Sequence, residues 1–191
     1  DNSYEMMLSL RERDSRVKII SLDGNFGQQN ALMCGFKYTT GNYIVTMDDD
    51  LQHLPEEIKR LVVTIEKGYD VVYGITDDKH HQFYRNLGSK LTNYLFSMIT
   101  PKKDNVRVSS FRIIRRSLLE KIITYKTTFV YISAIILKHT DNIANVKVKH
   151  DERKYGKSNY NFLKLVKLFC NLYIYYSDFV FDISRNETRG T

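Results

Sequence analysis

The stretch Tyr43-Ile44-Val45-Thr46-Met47-Asp48-Asp49-Asp50-Leu51-Gln52-His53-Leu54-Pro55 decides how the rest of the chain is read. Its apolar run reads as a short strand over Tyr43–Met47, and three carboxylates follow that strand directly. Pro55 falls where proline is tolerated, in the first turn of a helix, and Glu56 and Glu57 suit that helix's positive end. In open α/β sheets, ligands bind beyond the carboxyl ends of the strands. Alternate residues of an extended segment point the same way, so Asp48, Asp50 and Gln52 are expected to present oxygens to one point. Hard cations such as Mg²⁺ and Mn²⁺ take such ligands, using one or two carboxylates plus substrate phosphates. The alternative is an acidic turn before a helix N-terminus, although three adjacent carboxylates repel one another.

Upstream of this stretch, Ser3 is expected to cap a helix running to about Arg13, and Val17–Leu22 to form an apolar strand. A turn over Asp23–Gly27 leads into a helix over Gln28–Tyr38. Downstream, the Pro55 helix stops at Gly68, and Asp70–Ile75 is the next strand. Strands separated by helices of this length imply a mostly parallel sheet flanked by helices, an α/β fold. Further strands are expected at Val108–Ile114 and, as an edge, at Ile143–Lys149. Helices are expected over Phe83–Ile99, Ser117–Tyr125, Val130–Lys138 and Tyr160–Phe181, and disorder over 184–191.

The chain has 191 residues, of which 42% are hydrophobic and 27% charged, values that exclude a disordered tail and a membrane-embedded protein. Its uncharged apolar runs, Thr127–Leu137 and Leu168–Ser177, fall short of the roughly 18 apolar residues of a spanning helix. The first residues are polar and acidic and do not read as a secretory signal. Cys34 and Cys170 form no metal-spaced or disulfide framework, which suits a reducing cytosol. The net charge of +7 is uneven: residues 1–78 carry 8 Lys and Arg against 14 Asp and Glu (−6), and residues 79–191 carry 21 against 8 (+13). Such a split fits a cation site in one half and an anionic partner for the other, or simply two solvated faces. The basic residues form no recognisable nucleic-acid motif, so no nucleic-acid partner is expected.

Five ordered segments carry a resemblance. Asp48-Asp49-Asp50-Leu51-Gln52-His53 resembles the D-x-D-L-Q-(H/D)-P segment of family 2 glycosyltransferases, most closely the branch of dolichyl- and polyprenyl-phosphate sugar synthases. Asn25-Phe26-Gly27-Gln28-Gln29-Asn30-Ala31-Leu32 with Gly35 resembles that family's N-F-G-K-x-x-A-L-x-x-G stretch. Arg85, Ser89 and Asn93 match an R-x-x-x-S-x-x-x-N helix, and Ser110-Phe111-Arg112 with Arg115-Arg116 an F-R-x-x-x-R segment. Arg153-Lys154-Tyr155-Gly156-Lys157-Ser158-Asn159-Tyr160 matches R-x-x-G-x-S-K-Y.

The resemblance implies a GT-A-like (Rossmann-like) fold over residues 1–158, followed by an amphipathic, membrane-interface helix at 159–183. It implies an inverting hexosyltransferase that moves a sugar from a UDP- or GDP-linked donor to a polyprenyl phosphate at the inner face of the cytoplasmic membrane. Asp48, Asp50 and Gln52 would hold Mn²⁺ or Mg²⁺, with Asn25, Gly27, Gln28 and Asp49 also on the donor side. Arg85, Ser89, Arg153, Gly156 and Ser158 would bind the acceptor phosphate, and Asp50, Arg85 and Arg153 would be the catalytic set. Rival expectations are a soluble enzyme that extends a cell-surface glycan and a non-catalytic membrane-surface or scaffold module. The family's opening strands have no counterpart before Asp1-Asn2-Ser3, so the sheet is expected to lack its first two strands and to expose an edge open to self-association. Thr76 stands where relatives carry an acceptor-phosphate arginine in G-x-R, Gln28 replaces a lysine, and Ser110 stands where Asp or Gly precedes Phe-Arg.

Overall fold

A computed structural model describes residues 2–76, 106–149, 151 and 162–176. They fall into two compact units, 1–38 and 39–191.

In the first unit, helices α1 (Ser3–Arg13) and α2 (Gln28–Phe36) are joined by irregular backbone. Asn2 occupies the cap position of α1 and makes no side-chain cap bond, so Ser3 is the first helical residue rather than the cap. Val17–Leu22 makes no strand ladder among the described residues. Its apolar pattern identifies a face, whereas a strand also needs a neighbour to take its N–H and C=O groups.

The second unit is built on four strands: β1 (Tyr43–Thr46), β2 (Val71–Ile75), β3 (Arg112–Arg115) and β4 (Ile143–Lys147), in the order β1-β3-β2-β4. β2 and β4 are parallel, while β3 runs antiparallel to both β1 and β2. The sheet is therefore mixed, with three strands pointing one way and one reversed between them. Val71 to Ile75 is almost fully buried, as a strand covered on both faces must be. One face carries Val72, Phe111 and Ile113 against Leu61 and Ile65 of α3 (Ile58–Ile65), which follows a 3₁₀ turn at Pro55–Glu57. Gly68, at φ 103°, stops the chain after α3, its N–H bonded to the Ile65 carbonyl.

On the other side lie α4 (Arg116–Thr124), which buries Leu118, Leu119 and Ile122, and α5 (Ile132–His139), buried from Ile132 to Leu137. Arg112 of β3 is buried there, its Nη1 donating to Ser133 Oγ of α5 at 2.8 Å. Burial pushes the neighbouring Tyr73 phenol up, opposed in part by the Arg112 charge. Helix α6 (Phe162–Tyr176) docks through Leu172 and Tyr176, one turn apart and fully buried. The Tyr176 hydroxyl donates to the Phe129 carbonyl at 2.6 Å and accepts the Tyr131 N–H at 3.0 Å. No described helix is long and apolar enough to cross a membrane.

The segment expected as a strand over Val108–Ile114 pairs only from Arg112 onward. Side chains intercept the backbone before it: Ser109 Oγ takes the Phe111 N–H at 3.2 Å, and Thr46 Oγ1 donates to the Ser110 carbonyl. The helix expected at Phe83–Ile99 and the tail at 184–191 lie outside the described residues.

Candidate active site

Three segments meet beyond the carboxyl ends of β1 and β2: the turn after Thr46, Ile75–Thr76, and Arg107–Ser110 leading into β3. Together they wall a cavity of about 280 Å³. Asp48, Asp50 and Gln52 all line it, so the structure brings the three expected metal ligands together. Asp49 is exposed and lies outside the wall.

The route to that convergence differs from the extended segment expected. The backbone bends through residues 49–51, and Leu51 adopts φ 60°, a left-handed conformation uncommon for leucine. Asp50 Oδ1 accepts the Gln52 N–H at 3.2 Å across this bend. Asp48 is fixed differently, with Ser110 Oγ donating to its Oδ2 at 2.6 Å. The Gln52 carbonyl accepts the Asp151 N–H at 2.9 Å. The acidic turn is thus tied to Asp151.

The floor is set by a close backbone approach. A Cβ on Gly74 would meet Phe111 Cδ1 at 2.6 Å, so a side chain here would have to displace the Phe111 ring. The Phe111 ring in turn stacks on His53, with centroids 4.8 Å apart and planes 28° apart. Asn145 of β4 grips the backbone of Arg107 on both sides. Its Oδ1 accepts the Arg107 N–H at 2.8 Å, and its Nδ2 donates to the Arg107 carbonyl at 2.7 Å.

Among the described residues, no cluster of three or more Asp, Glu, His or Cys side chains could hold a metal ion. The wall offers two carboxylates and one amide, hard oxygen donors that suit a divalent cation completing its shell from substrate phosphates and water. Asn25, Gly27 and Gln28 belong to the first unit, where Gly27 (φ 78°) precedes α2 and donates its N–H to Asn25 Oδ1 at 3.1 Å. The Gly27 N–H thus already has an acceptor within its own loop. Arg85, Ser89, Arg153, Gly156 and Ser158 lie outside the described residues.

Sequence reasoning missed Arg107 and Ser109, treated Ser110 as a mere departure, and gave His53 no definite role. The signal was the serine pair directly before Phe111-Arg112: short hydroxyl side chains that bond to backbone and carboxylate where a strand would otherwise begin.

The fold is similar to that of glucosyl-3-phosphoglycerate synthase from Mycobacterium tuberculosis in complex with phosphoglyceric acid, with a TM-score of 0.57 at 16% identity over 91% of this chain and 62% of that one. The same enzyme in complex with Mn²⁺, uridine-diphosphate-glucose and glycerol 3-phosphate matches with a TM-score of 0.58 at 15% identity, over 89% and 61%. A mycobacterial protein matches with a TM-score of 0.59 at 14% identity, over 86% and 56%. The chain therefore spans about three fifths of the length of these neighbours. The family model for glycosyl transferase family 2 matches residues 1–123, taking in both the Asn25–Leu32 stretch and the acidic turn at the cavity, and the chain belongs to that family.

Proposed function

We propose that the chain is the working part of a metal-dependent, inverting glycosyltransferase that moves a sugar from a nucleotide donor to a polyprenyl phosphate at the inner face of the cytoplasmic membrane. The observation that carries this reading is the convergence of Asp48, Asp50 and Gln52 on one cavity at the carboxyl rim of the sheet. Bound there, Mn²⁺ or Mg²⁺ would neutralise charge on the departing nucleoside diphosphate. The complex of the mycobacterial synthase with Mn²⁺ and uridine-diphosphate-glucose supports this choice of donor and ion.

The protein's part is to position groups. Ser110 holds the Asp48 carboxylate in one orientation, and the Asp50–Gln52 bend holds the second. The bond from the anomeric carbon to the donor phosphate oxygen breaks as an acceptor phosphate oxygen attacks from the opposite face, inverting the configuration. A phosphate is already ionised near neutral pH, so catalysis rests on positioning and charge stabilisation rather than on a strong base.

A lipid acceptor is supported by α6. With Leu172 and Tyr176 buried, the helix leaves Val166, Lys167, Tyr173, Ile174 and Tyr175 exposed, a mixture of aromatic, aliphatic and basic groups suited to a membrane interface. We place the catalytic domain within residues 1–158 and the interface helix at 159–183. A second reading, transfer to a small soluble phosphate, is favoured by the glycerol 3-phosphate bound in the similar synthase.

The test supplies UDP- and GDP-linked sugars with Mn²⁺ to the full chain. The acceptors are polyprenyl phosphate in phosphatidylcholine vesicles, glycerol 3-phosphate and a neutral oligosaccharide. Lipid-linked product with an inverted anomeric centre is expected. Transfer to the oligosaccharide alone, or a retained configuration, overturns the proposal.

A further inference from the structure

The cavity is lined by both signs of charge. Asp48 and Asp50 lie in the turn after β1, while Arg107 lies at the entrance to β3, its backbone gripped by Asn145 of the edge strand. That grip is a two-point clamp on an otherwise exposed residue, and it fixes where the guanidinium starts. The side chain itself is little engaged: Nη1 reaches the Thr76 carbonyl at 3.5 Å, and no described carboxylate forms an ion pair with it. Ser109 stands beside it in the wall, its Oγ accepting the Phe111 N–H, so its own hydroxyl hydrogen is left to donate. A guanidinium and a hydroxyl facing one cavity form a donor pair suited to the oxygens of a phosphate.

We infer that Arg107 and Ser109 bind the phosphate of the acceptor, and that Asn145 is the positioning residue that holds Arg107 to this task. The inference rests on the glycosyltransferase reading and deepens it by naming the residues that receive the acceptor's phosphate. It also bears on Thr76: the guanidinium of Arg107 approaches that residue's carbonyl at 3.5 Å, delivering positive charge from the segment that leads into β3. A lipid phosphate and a small soluble phosphate share this chemistry.

Phosphate binding is measured apart from turnover, by calorimetric titration of the full chain with inorganic phosphate, with glycerol 3-phosphate and with vesicles carrying polyprenyl phosphate. Arg107→Ala is expected to weaken whichever phosphate binds by about 10- to 100-fold. Arg107→Lys should recover part of the loss, and Asn145→Ala should weaken binding less than Arg107→Ala. Arg107→Gln repeats the test should the alanine variant lose its melting transition. Whether vesicles or the soluble phosphates respond identifies the source. Binding of UDP with Mn²⁺ is followed in parallel and reports on the donor reading alone. If it fails while phosphate binding depends on Arg107, the donor reading falls and the phosphate site stands. Equal phosphate affinity in the wild type and both neutral Arg107 variants, or no phosphate binding by the wild type, overturns the inference.

Discussion

The two ends of the sheet treat the same kinds of side chain in opposite ways. At the amino ends of β1 and β2, the arginines are consumed by the fold. Arg115 donates to the carbonyls of Tyr69 at 3.2 Å and Ile65 at 3.1 Å, and Arg116 to that of Gly41 at 2.9 and 2.7 Å. The acid at that end, Asp70, accepts a hydrogen bond from Thr140. At the carboxyl ends, Asp48, Asp50 and Arg107 face a cavity instead. A charged group bonded to backbone carbonyls staples loops together, whereas one aimed into a polar cavity is available to a ligand. On the function proposed above, the second rim carries the chemistry.

Substitutions that separate the rims test this contrast. The largest effect is expected from Asp50→Asn, which keeps an oxygen for the Gln52 N–H but removes the charge. Sugar transfer in steady-state assays should fall about 100-fold or more, with unfolding free energy changed by less than about 0.5 kcal/mol. Arg115→Met should do the reverse. It removes the guanidinium from the carbonyls of Tyr69 and Ile65, the second of which keeps the Gly68 N–H, so denaturant titration should show a loss of about 1–2 kcal/mol while turnover per folded molecule is retained. Gly74→Ala touches both properties. It forces the Phe111 ring away from its place against His53, destabilising by about 1–3 kcal/mol and raising the KM for donor.

Tyr176→Phe probes a buried contact that belongs to neither rim, and its effect is the smallest. Burial pushes the Tyr176 phenol up to about 12. The unfolded chain releases this proton near pH 10 while the native one keeps it, so unfolding free energy falls as pH rises from about 10 to about 12. In the phenylalanine variant that fall should be shallower, as measured by denaturant titration across this range.

The acidic rim was legible in the sequence because three carboxylates directly after an apolar run have few structural uses. Pro55 and Gly68 likewise marked the boundaries of their helix, since each restricts the backbone in a way that side-chain packing does not override. The reversal of β3 was not legible. Its Arg-Ile-Ile-Arg core reads the same in either direction, and orientation is decided by pairing partners remote in the chain. The bend at Leu51 escaped for a related reason: leucine carries no turn signal, and the conformation is held by the Asp50–Gln52 hydrogen bond and the tie to Asp151. Arg107 escaped because Asn145, some 40 residues away, gives it its place (a separation of 38). Arg115 and Arg116, which the F-R-x-x-x-R match takes in without giving them a ligand, are structural staples.

On the proposed function, the carboxyl rim binds a nucleoside diphosphate through a divalent cation held by Asp48 and Asp50. Calorimetric titration of UDP and GDP into the full chain, with and without Mn²⁺, tests it most directly when wild type, Asp50→Asn and Arg115→Met are compared. Binding that requires Mn²⁺, falls at least about 10-fold in Asp50→Asn and persists in Arg115→Met is the predicted result. Mn²⁺-independent binding, or equal affinity in wild type and Asp50→Asn, would contradict it.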